Sequence, residues 1–318
     1  MKAPRSASRG ASAFYPAKGA EEQFRKADWP QFAGKQFFSK KSYAILFRNY
    51  EQGSALRKVK ANAVLEAGAV HRPGRNTVKT YTLHFIRHGM TTANEEGRYV
   101  GHQDLSLSLQ GEDELRYLKD NCVYPDPPVV FTSPLKRCTE TCEILFPDAQ
   151  PVVMRELIEY NFGEFEGHTA EELQQYDEFA EWLRGGMDAA PPHGESNAEF
   201  GERIRGALES IVEGLLKTGI TEAAIVTHGG IISALMAIYC LPEAPMNEWA
   251  CMNGTGYTVR ITPSLWAKGR KFEGVAQIPT VPEEKLRELG LAGDDESFLD
   301  DEDYGFGPDT TGVEHFTI

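Results

Sequence analysis

The chain has 318 residues, 41% hydrophobic and 25% charged, with 33 Lys+Arg against 47 Asp+Glu and a formal net charge of −14. This is globular composition; the acid excess argues against bulk nucleic-acid binding, and no apolar run approaches the ~18 residues of a membrane span. The charge is uneven: residues 1–80 carry 16 Lys+Arg and 5 Asp+Glu, residues 81–318 carry 17 and 42, as expected of parts that differ in physical state.

Residues 1–80 show no clear hydrophobic period. The first 20 are rich in Ala, Ser, Arg and Gly and contain no acid. Transit peptides share that composition, but the segment reads more simply as a poorly ordered basic leader. The run from Val78 looks like a protein beginning, although no Met lies between Met1 and Met90. Residues 1–77 are therefore a candidate gene-start error, which peptides from residues 20–70 of the native protein would refute.

From Tyr81 apolar strands alternate with helical patterns, and a catalytic domain is expected over 81–280. A strand at 82–86 ends at Arg87-His88-Gly89, and a helix follows at 111–121. The strand at 128–132 meets Ser133-Pro134, which reads as N-cap and first turn of a helix running to Leu145. A short strand is expected at 151–154. The next helix, 169–184, places Leu173, Tyr176, Phe179, Ala180 and Leu183 on an apolar face. After an amphipathic helix at 198–217, a buried strand at 223–227 leads into His228-Gly229-Gly230 and a helix over 231–240. Strands close the pattern at 256–261 and 272–278. The alternation predicts an α/β fold, a three-layer α/β/α sandwich with a mostly parallel central sheet. Residues 281–318 read as a poorly ordered acidic tail; 294–318 hold nine acids and no Lys or Arg. Cys122, Cys138, Cys142, Cys240 and Cys251 form no C-x-x-C pair. They read as reduced thiols, which places the protein in the cytoplasm.

Basic side chains sit just beyond strand ends: Arg87 and His88 after the first, His228 after the strand at 223–227, and Arg137 in the helix after the strand at 128–132. In an open parallel sheet, ligands bind outside the carboxyl ends of the strands. Arginine forks and helix N-termini there suit a phosphate group. Singly, such residues are more often structural or solvated. The glycines beside both histidines favour a shared anion site, because they permit close ligand approach. No HExxH, GxSxG, GxxxxGK[ST] or strand-linked GxGxxG occurs to suggest other chemistry.

The same residues fall within a known pattern. Arg87-His88-Gly89 with Thr91 and Asn94 resembles the signature of the histidine phosphatase superfamily, phosphoglycerate mutase-like branch. In family order follow Gly101-His102-Gln103-Asp104 with Leu107 and Gly111, then Ser133-Pro134-Leu135-Lys136-Arg137-Cys138-Thr139-Glu140-Thr141. Leu157-Ile158-Glu159-Tyr160-Asn161-Phe162-Gly163-Glu164-Phe165-Glu166-Gly167, Gly194-Glu195-Ser196 and Val226-Thr227-His228-Gly229-Gly230 complete the set. The resemblance covers about 81–278.

It implies a phosphoglycerate mutase-like fold and a phosphohistidine mechanism. His88 is the implied nucleophile, with Arg87, Arg137 and His228 around the phosphoryl oxygens. Asn94 adds a hydrogen bond, and Gly101 and Gly229 bring backbone groups close. Glu159, selected by register over Glu156, Glu164 and Glu166, is the implied general acid and base. No metal or cofactor is expected. Glu166 reads as a structural acceptor and Glu195 and Ser196 as turn formers; His102, His168 and His193 read as surface residues. Cys138 stands where Ala is common and Phe165 where Trp is frequent. Met90 stands where mutases often carry Glu. The short run after Glu159 is similar to the phosphatase branch, and 157–194 to alpha-ribazole phosphatases. The expectation is a metal-independent phosphomonoesterase acting on a small phosphorylated metabolite. It would have no nucleic-acid or membrane partner and be a monomer or homodimer. Alpha-ribazole phosphatase, phosphoglycerate mutase and an inactive phospho-ligand-binding relative are the alternatives.

Overall fold

The computed structural model describes residues 79–282, 284 and 285; the basic leader and nearly all of the acidic tail lie outside the described residues. Of two units, Met1–Thr280 and Val281–Ile318, the first carries every feature below. In the second, the Lys285 N–H donates to the Pro282 carbonyl at 2.9 Å.

Among the described residues seven strands, β1 (Tyr81–Arg87), β2 (Val130–Thr132), β3 (Val152–Val153), β4 (Glu222–Thr227), β5 (Cys240–Leu241), β6 (Gly256–Ile261) and β7 (Phe272–Ile278), form one sheet in the order β3-β2-β4-β1-β6-β7-β5. Only β6 among these runs against its neighbours. The sheet is thus mostly parallel, as expected.

Among the described residues the helices are α1 (Thr92–Glu95), α2 (Leu109–Asn121), α3 (Lys136–Leu145), α4 (Ala170–Leu173), α5 (Asp177–Leu183), α6 (Asn197–Thr218), α7 (Gly229–Tyr239) and α8 (Pro263–Gly269). Strand side chains alternate between faces, and the core divides accordingly. Leu83 and Phe85 of β1 with Ala223 and Ile225 of β4 pack against Ile204, Leu208 and Ile211 of α6 and Ile231 and Leu235 of α7. Ile86, Ala224 and Val226 face the other way, onto Leu115 of α2 and Cys138 and Cys142 of α3. The result is three layers. The chain leaving β1 crosses one face and the chain leaving β4 the other, so a crevice opens above the ends of these two adjacent strands.

Two local expectations differ from the structure. The helix expected over 169–184 is broken into α4 and α5, and Tyr176 is 50% exposed while Trp182 is 1% exposed. Leu173 and Phe179 are both buried, yet on one continuous helix they would point about 120° apart. The break brings both to the core. Ser133 does not cap α3: the helix begins at Lys136, and the Lys136 N–H is met from another segment, by Asp104 Oδ1 at 2.7 Å. The short β5 and α8 have no counterpart among the expected elements.

Candidate active site

β1 delivers Arg87 and His88 to the crevice. The His88 side chain is almost fully buried. Its Nδ1 lies 2.6 Å from the Gly89 carbonyl. A carbonyl oxygen can only accept, so Nδ1 carries the proton and Nε2 keeps its lone pair. Burial, and then the charges of Arg137 and Arg87, hold the imidazole pKa well below the ordinary histidine value. The ring is therefore a neutral base with its free nitrogen in a fixed orientation.

Arg137, in the first turn of α3, is fully buried. Its Nη1 and Nη2 donate to the Gln103 and Gly101 carbonyls, both at 2.7 Å, and its Nε to His228 Nδ1 at 3.3 Å. Burial presses its pKa down from the guanidinium value, but a guanidinium remains charged. Arg87 Nη1 donates to the Cys251 carbonyl at 2.8 Å, while its buried Nε has no partner among the described residues. An unmet buried donor at a crevice is what an anion would satisfy.

His228 caps α7 at the end of β4, its ring centroid 5.1 Å from that of His88. Since Arg137 donates to Nδ1, Nε2 bears the proton and donates to Ser133 Oγ at 2.9 Å. Both ring nitrogens are engaged, so a bond from Nε2 to a ligand requires it to leave Ser133. Burial, with Arg137 and His88 close by, sets its pKa well below the ordinary value.

Glu159 lies on an extended strap between the turns Arg155–Leu157 and Gly163–Phe165. Its Oε1 accepts from the Tyr160 N–H and its Oε2 from the Gly230 N–H, each at 2.9 Å. Burial raises its pKa above the usual carboxyl value, against the pull of those two N–H groups and the arginines. Tyr160 roots the strap in an aromatic cluster, 5.1 Å from both Phe162 and Phe200, and accepts from Trp182 Nε1 at 3.2 Å.

The remaining expected residues are placed as follows. Asn94 closes the capping box of α1, its Oδ1 accepting from the Thr91 N–H at 3.2 Å; the amide NH2 is the end left to donate. A Cβ at Gly101 would stand 2.1 Å from the Tyr160 carbonyl oxygen, so glycine is needed for loop and strap to meet. At Gly229 it would stand 3.2 Å from Arg87 Nε. Glu166 accepts from the His102 and Gln103 N–H groups at 2.7 and 2.9 Å. His168 and His193 are exposed; so is His102, but its Nε2 donates to the Glu159 carbonyl at 3.1 Å.

Two further residues brace the site: Asn253, which carries no sequence signal, and Thr141, which closes the motif run from Ser133 but has no role legible in it. Asn253 Nδ2 donates to the His88 and Gly89 carbonyls at 2.9 and 3.2 Å. Thr141 Oγ1 accepts from the Gly89 N–H at 2.9 Å and donates to the Arg137 carbonyl at 2.5 Å. Both work through main-chain groups, which every residue type supplies. Among the described residues, no three His, Cys, Asp or Glu side chains converge as metal ligands would, and no helix is long and apolar enough to cross a membrane.

The family model of the histidine phosphatase superfamily (branch 1) matches residues 83–272. The chain is 30% identical over 159 residues to the adenosylcobalamin/alpha-ribazole phosphatase of Escherichia coli, covering 49% of this chain and 77% of that protein. It is 29% identical over 190 residues to a 2,3-bisphosphoglycerate-dependent phosphoglycerate mutase of Bifidobacterium longum, covering 49% and 76%. The alpha-ribazole phosphatase structure from Shigella flexneri superposes with a TM-score of 0.51 at 24% identity, over 63% of this chain and 95% of that one; this likeness concerns the fold.

Proposed function

Because the chain belongs to branch 1 of the histidine phosphatase superfamily, we propose that this phosphatase-like enzyme is a metal-independent phosphomonoesterase working through a phosphohistidine on His88. The observation that carries the reading is the Nδ1–H of His88 held by the Gly89 carbonyl, which leaves Nε2 lone-paired in a buried cationic pocket. In the first step Nε2 attacks phosphorus and the bond to the ester oxygen breaks. Arg87, Arg137 and His228 stabilise the phosphoryl oxygens, with Asn94 as a further donor. Glu159 gives its proton to the leaving oxygen. In the second step water attacks phosphorus, Glu159 takes the proton, and the N–P bond breaks.

The segment between Glu159 and Gly194 holds only the turn Gly163–Phe165 and the short helices α4 and α5, which favours hydrolysis over the enclosed ligand exchange of a mutase. The relative named for alpha-ribazole makes that phosphate the first substrate to try. The wider class is small phosphorylated metabolites, met in the cytoplasm by a monomer or homodimer. The test is phosphate release from a metabolite panel in EDTA, with phosphoenzyme trapped from labelled substrate. Turnover should survive chelation, and His88→Ala should abolish both signals. Labelling retained in His88→Ala, or activity lost in EDTA, refutes the scheme.

A further inference from the structure

The strap that carries Glu159 has few backbone bonds of its own, and two of its carbonyls, with one from the turn before it, converge on one side chain. From α6, Arg203 Nη1 donates to the Glu156 carbonyl at 2.9 Å and the Ile158 carbonyl at 2.5 Å, and Nη2 donates to the Glu159 carbonyl at 3.2 Å. The Nε of Arg203 donates to Glu195 Oε2 at 3.1 Å, and Nη2 also bonds Oε1. Glu195 returns the grip: its Oε1 accepts from the Asn161 N–H at 2.8 Å. Both side chains are largely buried, 21% and 14% exposed, and the guanidinium lies 5.3 Å over the Phe200 ring.

The carboxylate of Glu159 is aimed by the Tyr160 and Gly230 N–H groups, but those bonds only aim it if the main chain beneath is fixed. A planar fork of donors can meet three carbonyls and a carboxylate together; an ammonium cannot. Glu195 keeps that charge paired, which a largely buried cation requires. We propose that Arg203, held by Glu195, is a positioning residue that sets Glu159 at the leaving oxygen. The proposal rests on the reading of Glu159 as the general acid.

The test uses kcat/KM, which reports the steps through departure of the leaving group, on two substrates. An alkyl phosphate needs a proton on its leaving oxygen, whereas p-nitrophenyl phosphate leaves as a stable anion. Arg203→Gln should lower kcat/KM on the alkyl phosphate by about 10- to 100-fold, the scale of a small misplacement, and by far less on p-nitrophenyl phosphate. In a Glu159→Gln background the same change should cost about two-fold or less, because groups acting through one another are not additive. Arg203→Lys, which keeps the charge and loses the fork, should show the same substrate pattern more weakly. It serves if Arg203→Gln does not fold. Equal losses on both substrates, losses that multiply with those of Glu159→Gln, or a Lys variant at wild-type rates overturn the proposal while leaving Glu159 in place. If Glu159→Gln itself changes alkyl phosphate turnover only a few-fold, the reading of Glu159 falls and the proposal with it.

Discussion

The same burial moves the two groups of the proposed scheme, His88 and Glu159, in opposite directions. It lowers the His88 pKa from 6.5, since the cation is the disfavoured form, and raises the Glu159 pKa from 4.5, since the anion is. In that scheme His88 attacks only when neutral, so its contribution should grow as pH rises through its lowered pKa. As the proposed acid, Glu159 donates only when protonated, so its contribution should fall as pH rises through its raised pKa. The kcat/KM profile on an alkyl phosphate should be bell-shaped, and Glu159→Gln should remove the alkaline limb while slowing turnover by about 10²–10⁴-fold. A limb unchanged in that variant would assign it to another group. At this scale the sequence is informative where side chains themselves face the crevice: Arg87, His88, Arg137, Glu159 and His228 stand at strand ends, helix starts or in a motif register. It is silent for Asn253, whose partners are carbonyls without a residue signature; it shows Thr141 at the end of the run from Ser133 but not its role, because its partners are a main-chain amide and carbonyl.

Among the elements, α3 shows how a site can borrow its helix cap. Its own flanking Leu135 makes no side-chain cap bond. Asp104, from the loop whose carbonyls receive Arg137, meets the first N–H instead. Removing a carboxylate cap costs about 0.5–2 kcal/mol. Asp104→Ala should lower stability by that amount in urea unfolding and should also weaken kcat, because the capped turn holds Arg137. A stability loss with kcat unchanged would separate the cap from the catalytic turn. The place of Ser133 is not legible in sequence, since a Ser-Pro pair before an apolar run is a proper helix start; the His228 Nε2–H claims its hydroxyl. The broken helix at 174–176 is equally hidden, because the period of 3.6 offers an apolar face and only packing against Tyr99 and Tyr160 makes Trp182 the better anchor.

Over the whole molecule, strand–helix alternation makes the layered parallel sheet legible, but not the direction of β6. That strand reverses because the chain after β5 climbs back to the crevice, where the Gly254 N–H bonds the Arg87 carbonyl at 3.0 Å; loop residues 242–255 carry no mark of this path. Global stability should follow the buried histidines. His84, His88 and His228 all have folded-state pKa values below 6.5, so below that pH the unfolded chain binds more protons. Stability should therefore fall as pH drops from 7 towards 5, each histidine contributing up to about 1.4 kcal/mol per pH unit crossed. Glu159 and the half-buried Glu114, both raised by burial, act in the opposite sense above pH 4.5, but they are two groups against three. Thermal unfolding at a series of pH values checks this. A midpoint that rises on acidification would mean the three rings take up protons without opening the fold. Inorganic phosphate at 100 times its Kd should add about 2.7 kcal/mol.

The depth of Arg137 has a consequence for kinetics in salt. Its charge is fully buried and committed to carbonyls, while residues 81–280 carry 15 Lys+Arg against 30 Asp+Glu. From beyond a Debye length, ~10 Å at 0.1 M salt, an approaching phosphate ester meets mainly the outer acids and feels the arginines only at the mouth. Association is then resisted at long range and rewarded at short range. Raising ionic strength with a weakly coordinating salt should speed substrate capture, the reverse of an enzyme that steers its anionic substrate with a basic surface.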